Sequence, residues 1–481
     1  MENINYHNNV SKKLPSFFLT RMKGQLGAEY DAFLESYNSE RTYGLRYNPL
    51  KQNKESFLKE MPFTLREVSW AEEGFYYEAA QQPGKSIFHD AGAFYIQEPS
   101  AMAVVTALEP GPGERILDLC AAPGGKSTQI AGRMRGKGLL VSNEIVPSRA
   151  KILSQNIERM GVANCVVCRE EPKKLAEFFP AFFDRVLVDA PCSGEGMFRK
   201  DDVAITEWSP ENVFMCAERQ RDILEHAARM VCAGGVMVYS TCTFSVEENE
   251  NVIDAFVKVH PEFSLENTER FWPHRVEGEG HFVARLRKAG EREQENRFYR
   301  TIAEELATGQ KNNKKGSRKE RKENNNGNEK NKVRENGRTS KQLCESFLYG
   351  DLGLTEAGAG RLFKERVLFN FGEALYLIPE QMIPLTGLQV ERPGLQLGFC
   401  EKDRFKPSHA LALYLHPEEV HNHYEMSLEQ AKRYVRGETF TVEPERKGWY
   451  LMSVQGFSVG FGKAAGGQMK NHYPKGLRRM F

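Results

Sequence analysis

At 481 residues the chain has room for roughly three domains, and its 40% hydrophobic content is ample for buried cores. A formal charge of +1 excludes a uniformly basic nucleic-acid-coating body, and nine scattered cysteines, an odd number, exclude a disulfide framework. The opening Met1–Asn9 lacks an apolar signal-peptide core and no run is long enough to span a bilayer. A cytoplasmic protein with thiols free for chemistry is therefore expected.

Charge is distributed unevenly. Residues 311–340 hold eleven Lys and Arg against four Asp and Glu, an excess of +7 that leaves the rest of the chain at −6. Any nucleic-acid contact must come from local patches. One such patch is the last 21 residues, where Lys463, Lys470, Lys475, Arg478 and Arg479 meet no carboxylate.

In chain order, the spacing of Phe17, Phe18, Met22, Leu26, Tyr30, Phe33 and Leu34 predicts an amphipathic helix or helical pair. Short strand-like pieces such as Tyr43–Asn48 follow, and 1–85 reads as a small mixed α/β domain. Across 86–302, apolar runs at Arg115–Leu119, Gly138–Asn143, Asn164–Cys168, Asp184–Asp189 and Gly234–Ser240 alternate with helix-compatible stretches. Such alternation predicts a parallel sheet covered on both faces. Residues 303–340 are expected to be a basic, disordered linker; a tether contacting RNA and a nuclear signal are the alternatives. A small helix-and-strand unit at 341–384 and a Gly-rich β domain at 385–481 complete the chain.

The segment Asp118-Leu-Cys120-Ala121-Ala122-Pro123-Gly124-Gly125-Lys126-Ser-Thr follows a strand and opens a helix. It is not a P-loop, because Cys120 stands where the first Gly of that motif belongs, and Pro123 removes an amide from the cradle. The dinucleotide pattern G-x-G-x-x-G is absent as well. What remains is a loop suited to the amino-acid part of S-adenosylmethionine, with Gly124 and Gly125 allowing close approach. Glu144 ends the next strand, where an acid meets ribose hydroxyls in doubly wound folds. Glu170 or Glu171 ends the one after and is placed for the adenine.

Two thiols, Cys192 in Asp189-Ala-Pro-Cys and Cys242 in Ser240-Thr-Cys, each follow a core strand. Addition of a thiolate to C6 of a cytosine would turn C5 into a nucleophile toward a methyl sulfonium. Asp189 could hydrogen-bond the base amino group and N3 as charge builds on the ring. The other cysteines read as small core residues. Cys165-x-x-Cys168 lacks a second ligand pair, so no metal is expected.

Taken together, Gln97–Met102, the Asp118–Thr128 loop, Glu144, Cys192–Lys200 and Ser240–Cys242 resemble the Nop/Sun family of RNA cytosine-C5 methyltransferases. Arg404–Ala412 and Lys470–Arg478 resemble the PUA-like RNA-binding domain of its RsmF-type bacterial subgroup, which acts on small-subunit (16S) ribosomal RNA. The resemblance implies a class I, Rossmann-like methyltransferase core between a small N-terminal α/β domain that contacts RNA and a C-terminal PUA-like domain. It implies a monomer acting on 16S rRNA or the small subunit, with a target cytidine in the decoding region. Cys242 becomes the nucleophile and Cys192 the group assisting release. Cys120 to Lys126, Glu144, Glu171 and Asp189 become cofactor contacts, and Arg46, Lys200, Lys463, Lys470, Lys475 and Arg478 RNA contacts. The family often carries Asp on the adenine side, and spacing to Asp189 favours Glu171 over Glu170 for that place. A non-catalytic assembly factor and a tRNA methyltransferase are the competing readings.

Overall fold

Ile116 and Leu117 point to opposite faces of their strand and both are fully buried, so helices must cover the sheet on two sides. The computed structural model, which describes residues 13–291, 300–312, 339–442 and 447–479, has that arrangement. Four short strands come first: β1 (Gly44–Tyr47), β2 (Arg66–Glu67), β3 (Gly74–Tyr76) and β4 (Phe94–Ile96), in sheet order β2-β3-β1-β4. The core follows with β5 (Arg115–Asp118), β6 (Leu139–Asn143), β7 (Cys165–Cys168), β8 (Phe183–Asp189), β9 (Val231–Thr241), β10 (Phe263–Phe271) and β11 (His281–Lys288). Strands β5 to β9 run parallel; β11 pairs antiparallel with β9, and β10 antiparallel with β11. Strand order reverses at β5, which pairs with both β6 and β8, and this opens a crevice at its C-terminal end.

The C-terminal third holds β12 (Arg366–Phe371), β13 (Ala374–Pro379), β14 (Val390–Arg392), β15 (Leu395–Glu401) and β16 (Arg404–Pro407). It ends with β17 (His423–Glu425), β18 (Phe440–Thr441), β19 (Gly448–Val454), β20 (Phe457–Ala465) and β21 (Gln468–Asn471). Strands β12, β13, β15 and β16 form one sheet, and β17 to β21 another. No helix among the described residues is long and apolar enough to cross a membrane.

Three expected boundaries move. The N-terminal unit does not end at 85, because β4 pairs with β1 in the register Leu45 to Ile96. Its helices, Ser16–Leu26 and Tyr30–Ser36, leave that sheet and pack Phe18 and Phe33 against Phe198, Trp208, Phe244 and Trp272 of the core. The linker expected from 303 begins as a helix, Ile302–Asn312, while 313–338 lie outside the described residues. No division falls at 384/385. There β13 pairs with β15, burying Leu375, Leu377, Leu395 and Leu397 together, and β14 pairs antiparallel with β7 as the eighth strand of the core sheet.

The last sheet shares one apolar cluster with the first: Leu45, Phe57, Phe75 and Phe94 pack with Tyr434, Val454 and Phe457. The rings of Phe88 and Phe457 stand 5.9 Å apart, and Arg479 donates to the Gly84 and Ser86 carbonyls and to Asp90.

Gly92 joins the first sheet to the core, accepting from Asn48 Nδ2, which also donates to the Met160 carbonyl. Its φ is +69°, and a Cβ there would stand 1.9 Å from the Arg159 carbonyl oxygen. Gly92→Ala is therefore expected to cost about 2 kcal/mol or more and to lower Tm; an unchanged melting curve would contradict this.

Candidate active site

Strands β8 and β9 pair with Asp189 opposite Ser240, so the loops beyond them emerge side by side. Their two thiols meet: Cys192 Sγ and Cys242 Sγ are 3.4 Å apart, both half-buried. The pair is electrostatically unequal. A hydrogen bond from Cys192 lowers the Cys242 thiol from its ordinary value. Burial and Asp189 work against this, and Lys126 and Lys200 reinforce it. The same hydrogen bond, then burial, Cys242 itself and Glu248, push the Cys192 thiol well up. Of the two sulfurs, Cys242 is therefore the more readily ionised and Cys192 the less.

Asp189 sits beside them in a dense polar knot. Its Oδ2 pairs with Lys126 Nζ at 2.6 Å, and its Oδ1 accepts from Ser240 Oγ at 2.7 Å. His281 Nε2 stands 3.6 Å from Oδ1. Burial opposes its charge, but Lys126 and His281 outweigh that and hold it well below the usual carboxylate range.

The sequence did not disclose what fixes the two loops. Glu248 accepts from Ser193 N and Gln220 Nε2, each at 2.9 Å, and from the Ser193 hydroxyl. Ser193 Oγ in turn lies 2.9 Å from Thr243 Oγ1, and Gln220 also donates to the Pro191 carbonyl at 3.0 Å. Asn249 takes the Thr241 hydroxyl at 2.6 Å and donates to the Thr243 carbonyl at 3.0 Å. Each thiol is therefore flanked on both sides by residues bonded to this cluster. Burial pushes the Glu248 carboxyl up to about 7.

The Cys120–Lys126 loop wraps the end of β5. Ala121 N donates to the Asn143 carbonyl at 2.8 Å, while Arg149 and Asn156 hold the Ala122 and Pro123 carbonyls at 3.1 and 2.8 Å. Both glycines are also closely packed by their neighbours. Gly124 has φ +108° with Leu153 3.1 Å from a Cβ position, and at Gly125 that position meets Gln97 and Tyr95. Burial, reinforced by Asp118 and Asp189, drives the Cys120 thiol far up.

Arg46 corrects an expectation. It is 1% exposed and therefore cannot meet RNA; instead it donates to the Gly125 carbonyl at 2.5 Å, to Thr128 Oγ1 at 3.0 Å and to Gln97. In this way the first sheet braces the loop from behind.

Acids stand at the ends of β5, β6 and β7, around the loop. Asp118 is fully buried; its Oδ2 accepts from Ser127 at 2.7 Å, its Oδ1 has no partner, and burial pushes it up to about 7. An orphaned buried acceptor here fits a cationic ligand group such as the ammonium of a methionine moiety. Glu144 accepts from Val146 N at 2.9 Å and pairs with Arg149 at 3.2 Å. Glu170 is buried and takes Gln389 N at 2.6 Å and Lys174 at 2.8 Å, whereas Glu171 is exposed at the start of helix Pro172–Phe178.

Lys200 is half-buried, with its charge acting on both Cys242 and Glu98. Lys463, Lys470, Lys475 and Arg478 are exposed on the last sheet and its tail. Lys463 and Lys470 face each other across β20 and β21, and Lys463 lies 5.1 Å over the Trp449 ring. Cys165 and Cys168 are buried strand residues, and among the described residues no cluster of three His, Cys, Asp or Glu could hold a metal.

Comparison with known proteins gives matches along nearly the whole chain. Residues 105–287 match the model of 16S rRNA methyltransferase RsmB/F, and 14–99 the N-terminal domain of 16S rRNA methyltransferase RsmF. Residues 356–415 match the first C-terminal domain of the RsmF rRNA methyltransferase and 421–479 its PUA domain. Ribosomal RNA small subunit methyltransferase F of Vibrio vulnificus is 32% identical, with 98% of this chain and 99% of that protein covered. The Escherichia coli protein of the same name is 30% identical over 97% and 96%. Among solved structures, a methyltransferase homolog protein from Pyrococcus horikoshii has a TM-score of 0.53 at 27% identity, covering 60% of this chain and 100% of its own. NSun6 from the same organism, solved with SFG, has a TM-score of 0.51 at 22% identity over 58% and 99%, a likeness of fold.

The Glu248 carboxyl, ordinarily at 4.5, reaches about 7 when folded. The folded chain then binds the extra proton between those values, so this group's contribution to stability falls as pH rises through that window. Glu248→Gln keeps the shape and cannot ionise. Its Tm relative to the parent is expected to rise between about pH 5 and pH 8; a pH-independent difference would contradict the assignment.

Proposed function

The chain belongs to the family of RsmF-type 16S rRNA methyltransferases, and on that premise we propose that it methylates C5 of a cytidine in 16S rRNA through a covalent Cys242–C6 adduct. The observation that carries this reading is the 3.4 Å contact between two unequal thiols. The family resemblance favours a target in the decoding region.

Extrusion of the target base from its stack costs a few kcal/mol. Lys126 and Lys200 favour the Cys242 thiolate, which forms a bond to C6 and pushes the ring electrons toward C5. Asp189, held ionised by Lys126 and His281, has a further lone pair on each oxygen to accept from the base amino group, and from N3 once that nitrogen takes up a proton in the adduct. S-adenosylmethionine, when bound, supplies a methyl group on a sulfonium. The Cys120–Lys126 loop, Asp118 and Glu144 would hold it, with Glu171 at the adenine end. A base then takes the C5 proton, and the electron pair of that C–H bond restores the C5–C6 double bond and expels Cys242 as thiolate. The contact of Cys192 with Cys242 supports a role for Cys192 in assisting that release.

Two experiments test this reading. Cys242→Ala is expected to abolish 5-methylcytosine formation on 16S rRNA, whereas Cys192→Ala should accumulate a denaturant-resistant protein–RNA adduct; an active Cys242→Ala protein would refute the assignment. Charge reversal at Lys463, Lys470, Lys475 and Arg478 is expected to weaken RNA binding and to flatten its salt dependence by roughly one unit of slope per lost phosphate contact. Binding curves superimposable on the parent's across a salt series would show these to be solvated charges.

A further inference from the structure

Strands β5, β6 and β7 all begin at the edge opposite the thiols, and a cleft of about 900 Å³ opens there. The first sheet's domain, the loop before β6 and the turn before β12 form its walls. Arg366 Nη2 donates to the Gly136 carbonyl at 3.0 Å, tying that loop to that turn.

Two lining cations are already neutralised, Arg133 by Glu73 and Arg361 by Glu419. Arg135, Lys137 and Lys364, on the joined loop and turn, are exposed and form no ion pair among the described residues. Arg366 Nε is buried without a partner, and Glu72 and Glu365 are the remaining lining acids. Among the described residues, lining cations outside ion pairs thus outnumber the remaining lining acids. Burial and then Arg361 push His416 down to about 4, with Lys51 adding to it, and burial with Arg361 brings Lys51 to about 7.

We infer that this cleft grips the phosphodiester backbone of the RNA substrate, at a segment remote from the nucleotide in the thiol crevice. The inference rests on the RNA substrate proposed above. Cations spread along two exposed turns suit a chain of phosphates, whereas one small anion needs donors converging on a point. Strands of four and five residues separate the two edges by about 15 Å, so a folded RNA can meet both.

The test compares Arg135→Glu/Lys137→Glu/Lys364→Glu with Lys59→Glu/Lys173→Glu/Lys258→Glu, an equal charge change at exposed lysines outside the cleft. The cleft variant is expected to bind 16S rRNA at least about tenfold more weakly at about 100 mM salt and to flatten the salt slope by about two to three. S-adenosylmethionine affinity and Tm should stay at the parent's values, and the control variant should keep the parent's slope. An unchanged slope, or equal flattening in the control, would overturn the inference. So would normal binding to naked rRNA with loss of binding to the small subunit, which would assign the cleft to a protein. Methylation of the same RNA by the parent protein tests the underlying reading separately.

Discussion

Parallel pairing of β8 with β9 sets Asp189 opposite Ser240, and a few residues beyond them the chain delivers Cys192 and Cys242 into sulfur–sulfur contact. Pairing of β5 with β8 sets Asp118 opposite Leu187 and brings the glycine loop alongside. Because side chains alternate along a strand, a slip of one residue would turn Asp189 away from Lys126 and separate the thiols. The sheet resists such a slip because it is buried on both faces; Val186, Leu187 and Val188 in β8 and Met237, Val238 and Tyr239 in β9 are all fully buried.

On that frame the site gathers charges that would repel one another if left unpaired. Lys126 reconciles several of them: it closes the Cys120–Lys126 loop, pairs with Asp189 and favours the Cys242 thiolate. Among the described residues Glu248 has no cation against it and is satisfied by neutral donors, the Ser193 amide and hydroxyl and the Gln220 amide. Its negative charge helps to push the Cys192 thiol up. Two carboxylates thus divide the work, one beside the loop lysine and one beneath the Pro191–Ser193 turn.

Much of this was legible in the chain itself. Apolar runs marked the five parallel strands, and the long motifs around Asp118, Cys192 and Cys242 marked the crevice. Glu248 was not legible, because it stands in the acidic stretch Glu247–Glu250 where only tertiary contact distinguishes one acid from the next. Arg46 read as a surface cation for the converse reason: carbonyls and a hydroxyl satisfy it in the interior, and local sequence does not encode those partners. The division at 384/385 failed because β14 spans three residues, too few for a periodic signal, and because β13 and β15 pair across it.

The eighth strand has a consequence for biosynthesis. Val390 pairs with Cys168, so the outer flank of the catalytic sheet waits for a segment translated far later. At typical elongation speeds that delay is roughly 10–40 s. Meanwhile β7 offers bare amides and carbonyls to any neighbouring polypeptide. Strand β14 therefore acts as a built-in closure for a nascent enzyme, and products ending short of it would emerge adhesive.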